Sequence, residues 1–224
     1  MDTRFRDRTE AGRQLAERLA QRPGLEDAVV LALPRGGVPV GYEIAKALGS
    51  ELDVIVVRKL GVPGHEELAM GAIASGGVRI MNEEVLEMLH IPAAVIERTA
   101  AREQTELERR ERAYRGGREA PRVSGRPVIL VDDGAATGST IRAAIRAVRQ
   151  QGPERVLVAV PVAPPEVCEM LAGEADEVVC LLTPEPFIAI SVWYESFPQL
   201  GDDEVRALLA EAAHPAREGG PRRA

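Results

Sequence analysis

The run Val128-Ile129-Leu130-Val131-Asp132-Asp133-Gly134-Ala135-Ala136-Thr137-Gly138-Ser139-Thr140 constrains this 224-residue chain more than any other segment. Its four β-favouring residues predict a buried strand, and Ile141, Ala144, Ile145 and Val148 then recur at helical spacing. Two carboxylates and a small, hydroxyl-rich turn therefore stand where a strand hands over to a helix. Such a helix start carries unpaired N–H groups and the positive end of the helix dipole, which together favour a phosphate. Gly134, Ala135, Ala136 and Gly138 leave room for backbone approach, while Thr137, Ser139 and Thr140 add hydroxyl donors. Asp132 and Asp133 would repel a phosphate and suit neutral hydroxyls or a cation. A plain Asp-Gly turn with a Ser/Thr cap accounts for one Asp and one hydroxyl, but not for the whole string. A P-loop needs a lysine directly after its second glycine, where this chain has Ser139.

Strand-like and helix-like segments alternate around this motif. Strands are expected over 28–33, 53–58, 155–161 and 177–182, and helices over 38–48, 166–171 and 202–209. That alternation predicts an α/β fold, a mostly parallel twisted sheet with helices on both faces, whose ligands bind at the carboxyl ends of the strands. An N-terminal helix is expected within 1–27 and the core over 28–200, followed by a C-terminal helix and a disordered tail over 201–224. Two parts interrupt the rhythm. A flap over 60–81, with Gly76-Gly77 inside it, reads as a hairpin. An insertion over 82–117 reads as helices broken near Ile91-Pro92. Beyond Glu97 the insertion is almost entirely polar. Glu106 and Arg110, Glu108 and Arg112, and Glu111 and Arg115 each stand four apart, as on a solvent-facing helix.

The stretch Val131 to Thr140 resembles, without a gap, the 5-phosphoribosyl-1-pyrophosphate (PRPP) motif of type I phosphoribosyltransferases. The resemblance covers roughly Ala28 to Leu200, with the 82–117 insertion departing from compact members. It implies that Asp132 and Asp133 hold the ribose hydroxyls, and Mg²⁺ directly or through water. It also implies that Gly134 to Thr140 wraps the 5-phosphate, and that the parent fold is the type I phosphoribosyltransferase fold with a helical hood. The transfer would go from PRPP to a small nitrogenous acceptor, a nucleobase, with release of pyrophosphate. A PRPP- or nucleotide-binding regulatory protein without transferase activity is the alternative.

Other elements fit the same plan. Leu33-Pro34-Arg35-Gly36-Gly37 ends the first strand in a turn whose glycines free backbone N–H groups to face an anion, with Arg35 adding fixed charge. It is similar to the family's basic-Gly-Gly pyrophosphate turn, which often contains a cis peptide. A second apolar run, Val54 to Val57, leads into Arg58 and Lys59, and the resemblance implies that Arg58, with Lys59, neutralises departing pyrophosphate. Its alternative is a surface pair capping a strand. The segment Pro186 to Leu200 gathers most of the few aromatics and loosely resembles the hood of purine-specific members. Phe187 would then stack on the base, with Tyr194 or Glu195 near its edge, and an apolar plug is the competing reading. His65 stands in a Gly/Pro-rich loop without an assigned role.

A net charge of −7 argues against a broad nucleic-acid surface, so the site should be a local pocket. No apolar run is long enough to cross a bilayer, and the charged start Met1 to Arg8 is unlike a secretory signal, so a cytoplasmic protein without a membrane partner is expected. Cys168 and Cys180 lack metal-ligand spacing with the histidines and read as reduced thiols. A homodimer is implied by the family likeness alone. On this reading Asp133→Asn should lower turnover far more than stability.

Overall fold

Hydrophobic alternation along the core strands decides the architecture, because successive residues of each strand enter different cores. In the computed structural model, which describes residues 4–213, five parallel strands form the central sheet. They are β1 (Val29–Ala32), β2 (Glu51–Val54), β6 (Pro127–Val131), β7 (Arg155–Val162) and β8 (Glu177–Leu182), in the order β2-β1-β6-β7-β8. Val30, Ala32, Ile129, Val131, Leu157 and Ala159 pack against α1 (Arg8–Leu19), α2 (Gly37–Leu48) and α7 (Asp202–Ala213). Val29, Leu31, Val128, Leu130, Val156 and Val158 face the other way, toward α5 (Ser139–Arg149) and α6 (Pro165–Ala172). Helices therefore cover both faces, and the motif helix α5 lies on the second. The disordered tail expected over Glu218 to Ala224 lies outside the described residues.

The order of strands reverses between β1 and β6, whose register pairs Ala32 with Val131. Loops leaving neighbouring parallel strands in opposite directions part at such a switch point and open a crevice above the strand ends. The turn after β1 and the acidic loop after β6 both leave from here.

The expected strand over 53–58 ends at Val54. Ile55 still donates to the Ala32 carbonyl at 3.0 Å, but from Val57 the chain belongs to a separate antiparallel sheet. That sheet comprises β3 (Val57–Val62), β4 (His65–Ala74) and β5 (Val78–Met81). Ser75 stitches the crossover, its hydroxyl accepting from the Val56 amide at 2.8 Å. An unbroken apolar run serves both sheets, so periodicity could not show the change. Arg58 and Lys59 consequently sit on β3 rather than at the edge of the central sheet.

The insertion forms α3 (Glu83–Leu89) and α4 (Ala93–Arg115), parted at His90 to Pro92. α4 is not simply solvent-facing. Thr99, Ala100, Glu103, Leu107 and Tyr114 form a buried stripe, and Arg115 reaches inward to Asp53 at 2.8 Å. Its surface carries the Glu106–Arg110 pair at 2.9 Å, whereas Glu108 instead accepts from Gln104 at 2.6 Å.

On the far face, Arg142 and Arg146 of α5 meet Glu174, and Arg149 meets Asp176. Burial raises the Glu174 carboxyl, but hydrogen bonds from Arg146 and Arg142 outweigh it and leave the group below its ordinary value. Burial also raises Asp176, and the Val156 amide with Arg149 brings it below as well. A carboxyl with a depressed folded value contributes stability above its unfolded value, about 4, and loses it as pH falls through the folded one. The urea midpoint should therefore drop between roughly pH 5 and pH 3. Glu174→Gln should flatten part of that drop, and an unchanged slope in the variant would remove these pairs as its source.

Candidate active site

The acidic loop is fixed from three sides. Asp133 is buried, and its Oδ2 accepts from Arg8 Nε at 2.7 Å. Its main-chain carbonyl accepts from the Tyr194 hydroxyl at 2.7 Å. Asp132 is half-buried and bends back so that its Oδ1 accepts from the Asp133 amide at 2.9 Å. Burial, followed by the neighbouring Asp133 charge, raises the Asp132 carboxyl well above its ordinary value. Ala135 anchors the turn by donating to the Val162 carbonyl of β7 at 2.9 Å.

Beyond that anchor the loop is open. Ala136, Thr137, Ser139 and Thr140 are exposed, and the Thr137 and Ser139 hydroxyls lie 3.1 Å apart. The amides of Ala136, Thr137 and Gly138 donate to no protein acceptor among the described residues. Gly138 caps α5 with φ +69°, and a Cβ there would lie 2.6 Å from Met170 Cε. Gly134 meets the hood in the same way, a Cβ coming 2.7 Å from Ile190 Cγ2. The small residues thus let the loop lie flat against α6 and the hood, and the amides left without a protein acceptor stand at a helix start, an arrangement that suits a phosphate.

The turn after β1 closes the opposite wall. Leu33 donates to the Val131 carbonyl at 2.8 Å, and the Pro34–Arg35 peptide bond is cis. A Cβ on Gly36 would fall 2.0 Å from Asp133 Oδ2, and one on Gly37 would fall 2.5 Å from the Val131 carbonyl oxygen. These two glycines are what allow the loops to touch. Between them lies a cavity of about 300 Å³ lined by Arg8, Arg35, Gly36, Asp133, Phe197 and Leu200, among others. The structure therefore brings together Arg35, Gly36 and the acidic loop.

Other expected site residues lie elsewhere. Arg58 donates Nε to Glu103 Oε2 at 2.8 Å, Lys59 is exposed, and neither lines this cavity. Arg35 is half-exposed, donates to the Leu200 carbonyl and stands 3.7 Å from Asp202. Tyr194 offers no face for a base. Its ring is buried 5.5 Å from Phe5 and 4.8 Å from Phe197, and burial followed by the Asp133 charge pushes its phenol upward. Tyr194 is a strut under the acidic loop, a correction to its expected contact with the acceptor. Phe187 is half-buried against the same aromatic cluster.

Sequence reasoning missed Arg8, Phe197 and Glu103. Only the fold brings Arg8 to Asp133 across 125 positions, and the almost entirely polar run beyond Glu97 concealed Glu103. Among the described residues no three His, Cys, Asp or Glu side chains cluster so as to hold a metal. Asp133 is paired with Arg8, so of the two adjacent carboxylates Asp132 is the one without a side-chain ion pair among the described residues. No helix among the described residues is long and apolar enough to cross a membrane.

A parallel sheet with a phosphate-ready loop at its switch point defines a class, and the chain belongs to it: the family model "Phosphoribosyl transferase domain" matches residues 6–192. Two relatives, from Mycobacterium tuberculosis strains CDC 1551 and H37Rv, carry provisional phosphoribosyl transferase names and are each 49% identical over 216 residues. The alignment takes in 96% of this chain and 48% of theirs, so the chain spans about half the length of those relatives. The crystal structure of TT1426 from Thermus thermophilus is 48% identical and superposes with a TM-score of 0.83, over 93% of this chain and 98% of that one.

Proposed function

We propose that the chain transfers the phosphoribosyl group of PRPP to a nitrogen acceptor, a nucleobase, releasing pyrophosphate. The observation that carries this reading is the open turn after the acidic pair, with three amides unpaired among the described residues and three hydroxyls at the start of α5. Gly134 to Thr140 anchors the 5-phosphate, and remote binding energy of that kind can place a reacting carbon. Asp132 and Asp133 hold the ribose, and the Asp132 charge, which no arginine pairs among the described residues, favours the positive charge that develops as the anomeric bond breaks. Arg35 and the Gly36 and Gly37 backbone receive pyrophosphate. Arg58 and Lys59 would join them by closure of the β3–β5 hairpin sheet, which also excludes water. Phe187 and the exposed Ile188 of the hood offer the acceptor an apolar wall. Asp132 would hold magnesium together with the substrate phosphates, and the metal would supply charge neutralisation for the departing pyrophosphate. Action in the cytoplasm as a homodimer completes the proposal.

The test is incubation with PRPP, Mg²⁺ and a panel of purine and pyrimidine bases, with pyrophosphate and nucleotide measured together. Base-dependent release of both is expected. PRPP binding without release from any base would point to the regulatory, non-transferring reading. Failure to bind PRPP would remove both.

A further inference from the structure

Arg8 is the first residue of α1, and its guanidinium makes three contacts at the mouth of the site. Besides the 2.7 Å bond to Asp133, it donates to the Pro198 carbonyl at 2.9 Å and lies over the Phe197 ring, 3.7 Å from its centre. Both partners of the ion pair are sequestered, with side-chain exposures of 10% and 13%, yet both line the cavity. A buried ion pair is a poor device for stability alone, since apolar residues of the same volume do as well or better. It does fix a carboxylate in one orientation. The Asp133 carboxylate is wedged between Arg8 and the Gly36 backbone, where a Cβ would fall 2.0 Å from its Oδ2 and displace it.

We propose that Arg8 is a positioning residue for the acidic loop, holding Asp133 in the orientation in which the loop binds its phosphorylated sugar and tying that loop to the 196–200 segment. This rests on the PRPP reading above. Arg8 contributes by orienting a group that touches substrate, so its loss weakens substrate binding more than the later bond-breaking step. A lysine keeps the charge but cannot serve Asp133, the Pro198 carbonyl and the Phe197 face with one planar fork.

The experiment compares the full chain with R8Q, R8K, D133N and R8Q/D133N. It reads PRPP affinity by calorimetry, KM and kcat by pyrophosphate release, and the urea midpoint. R8Q should raise the PRPP KM and Kd about tenfold with a smaller change in kcat. R8K should recover part of that loss, and R8Q/D133N should bind no worse than D133N, because the two changes break one interaction. If R8Q does not fold, R8K carries the test, with a raised KM expected at a near-native midpoint. A lowered midpoint with unchanged KM and Kd, or additive losses in the double variant, would overturn the proposal. If the native chain binds no PRPP, the functional reading itself fails and takes this one with it. If the native chain and R8Q bind equally well, the role of Arg8 alone is lost.

Discussion

Asp132→Asn is expected to lower kcat/KM for pyrophosphate release about 100-fold or more, while the urea midpoint holds or rises. The two halves of that expectation have one cause. Asp132 is partly desolvated and faces the Asp133 charge, which is why its carboxyl is raised well above its ordinary value. A group with a raised folded value costs stability at neutral pH, so a neutral amide of the same shape relieves repulsion in the resting protein. The same amide has no charge to set against a developing ribosyl cation. Asp133→Asn should behave differently, contrary to what the sequence suggested. Its carboxylate is the buried partner of Arg8, and removing one member of such a pair leaves the other uncompensated, at a cost on the order of 3 kcal/mol. Paired kinetic and urea measurements on the two variants decide the matter. Activity of Asp132→Asn within a few-fold of native would show that its charge is not used.

Much of the candidate site was legible along the chain, and the illegible part has a physical reason. The strand, the acidic pair and the small-residue turn of 128–140 are contiguous, so the sequence carries both the loop and the helix that presents it. β8 falls over the expected 177–182, because its ends are set by local pattern. What the chain did not display were the partners. Asp132 and Asp133 are identical neighbours in sequence and are distinguished only by Arg8, delivered by a helix from the other end of the domain. Arg58 looked like a strand-end cation because the apolar run before it continues through the change of sheet. Its partner Glu103 looked like one more surface charge among the Glu and Arg residues of α4. Tyr194 looked like an aromatic available to a ligand, but the N-terminal Phe5 covers its ring. Local pattern located the backbone of the site, whereas charge compensation by distant elements was set by tertiary packing.

The glycines of the turn after β1 supply the other large expected effect, and the two should fail in different ways. In Gly37→Ala the new methyl would meet main chain, 2.5 Å from the Val131 carbonyl oxygen and 2.9 Å from Asp132 Cα. Neither atom can yield without parting β1 from β6, where Leu33 already bonds that carbonyl at 2.8 Å. A loss of about 3 kcal/mol in urea unfolding is expected, at the upper end of ordinary overpacking because the obstacle is backbone. In Gly36→Ala the obstacle is the Asp133 carboxylate, 2.0 Å away, and a side chain can rotate. That rotation removes Asp133 from Arg8, so this variant should lose the stability of that pair and, unlike Gly37→Ala, reproduce the weakened PRPP binding of R8Q. The comparison separates packing from orientation: Gly36→Ala that binds PRPP as well as the native chain would mean that the carboxylate's direction is irrelevant to the ligand, whatever the methyl group does to stability.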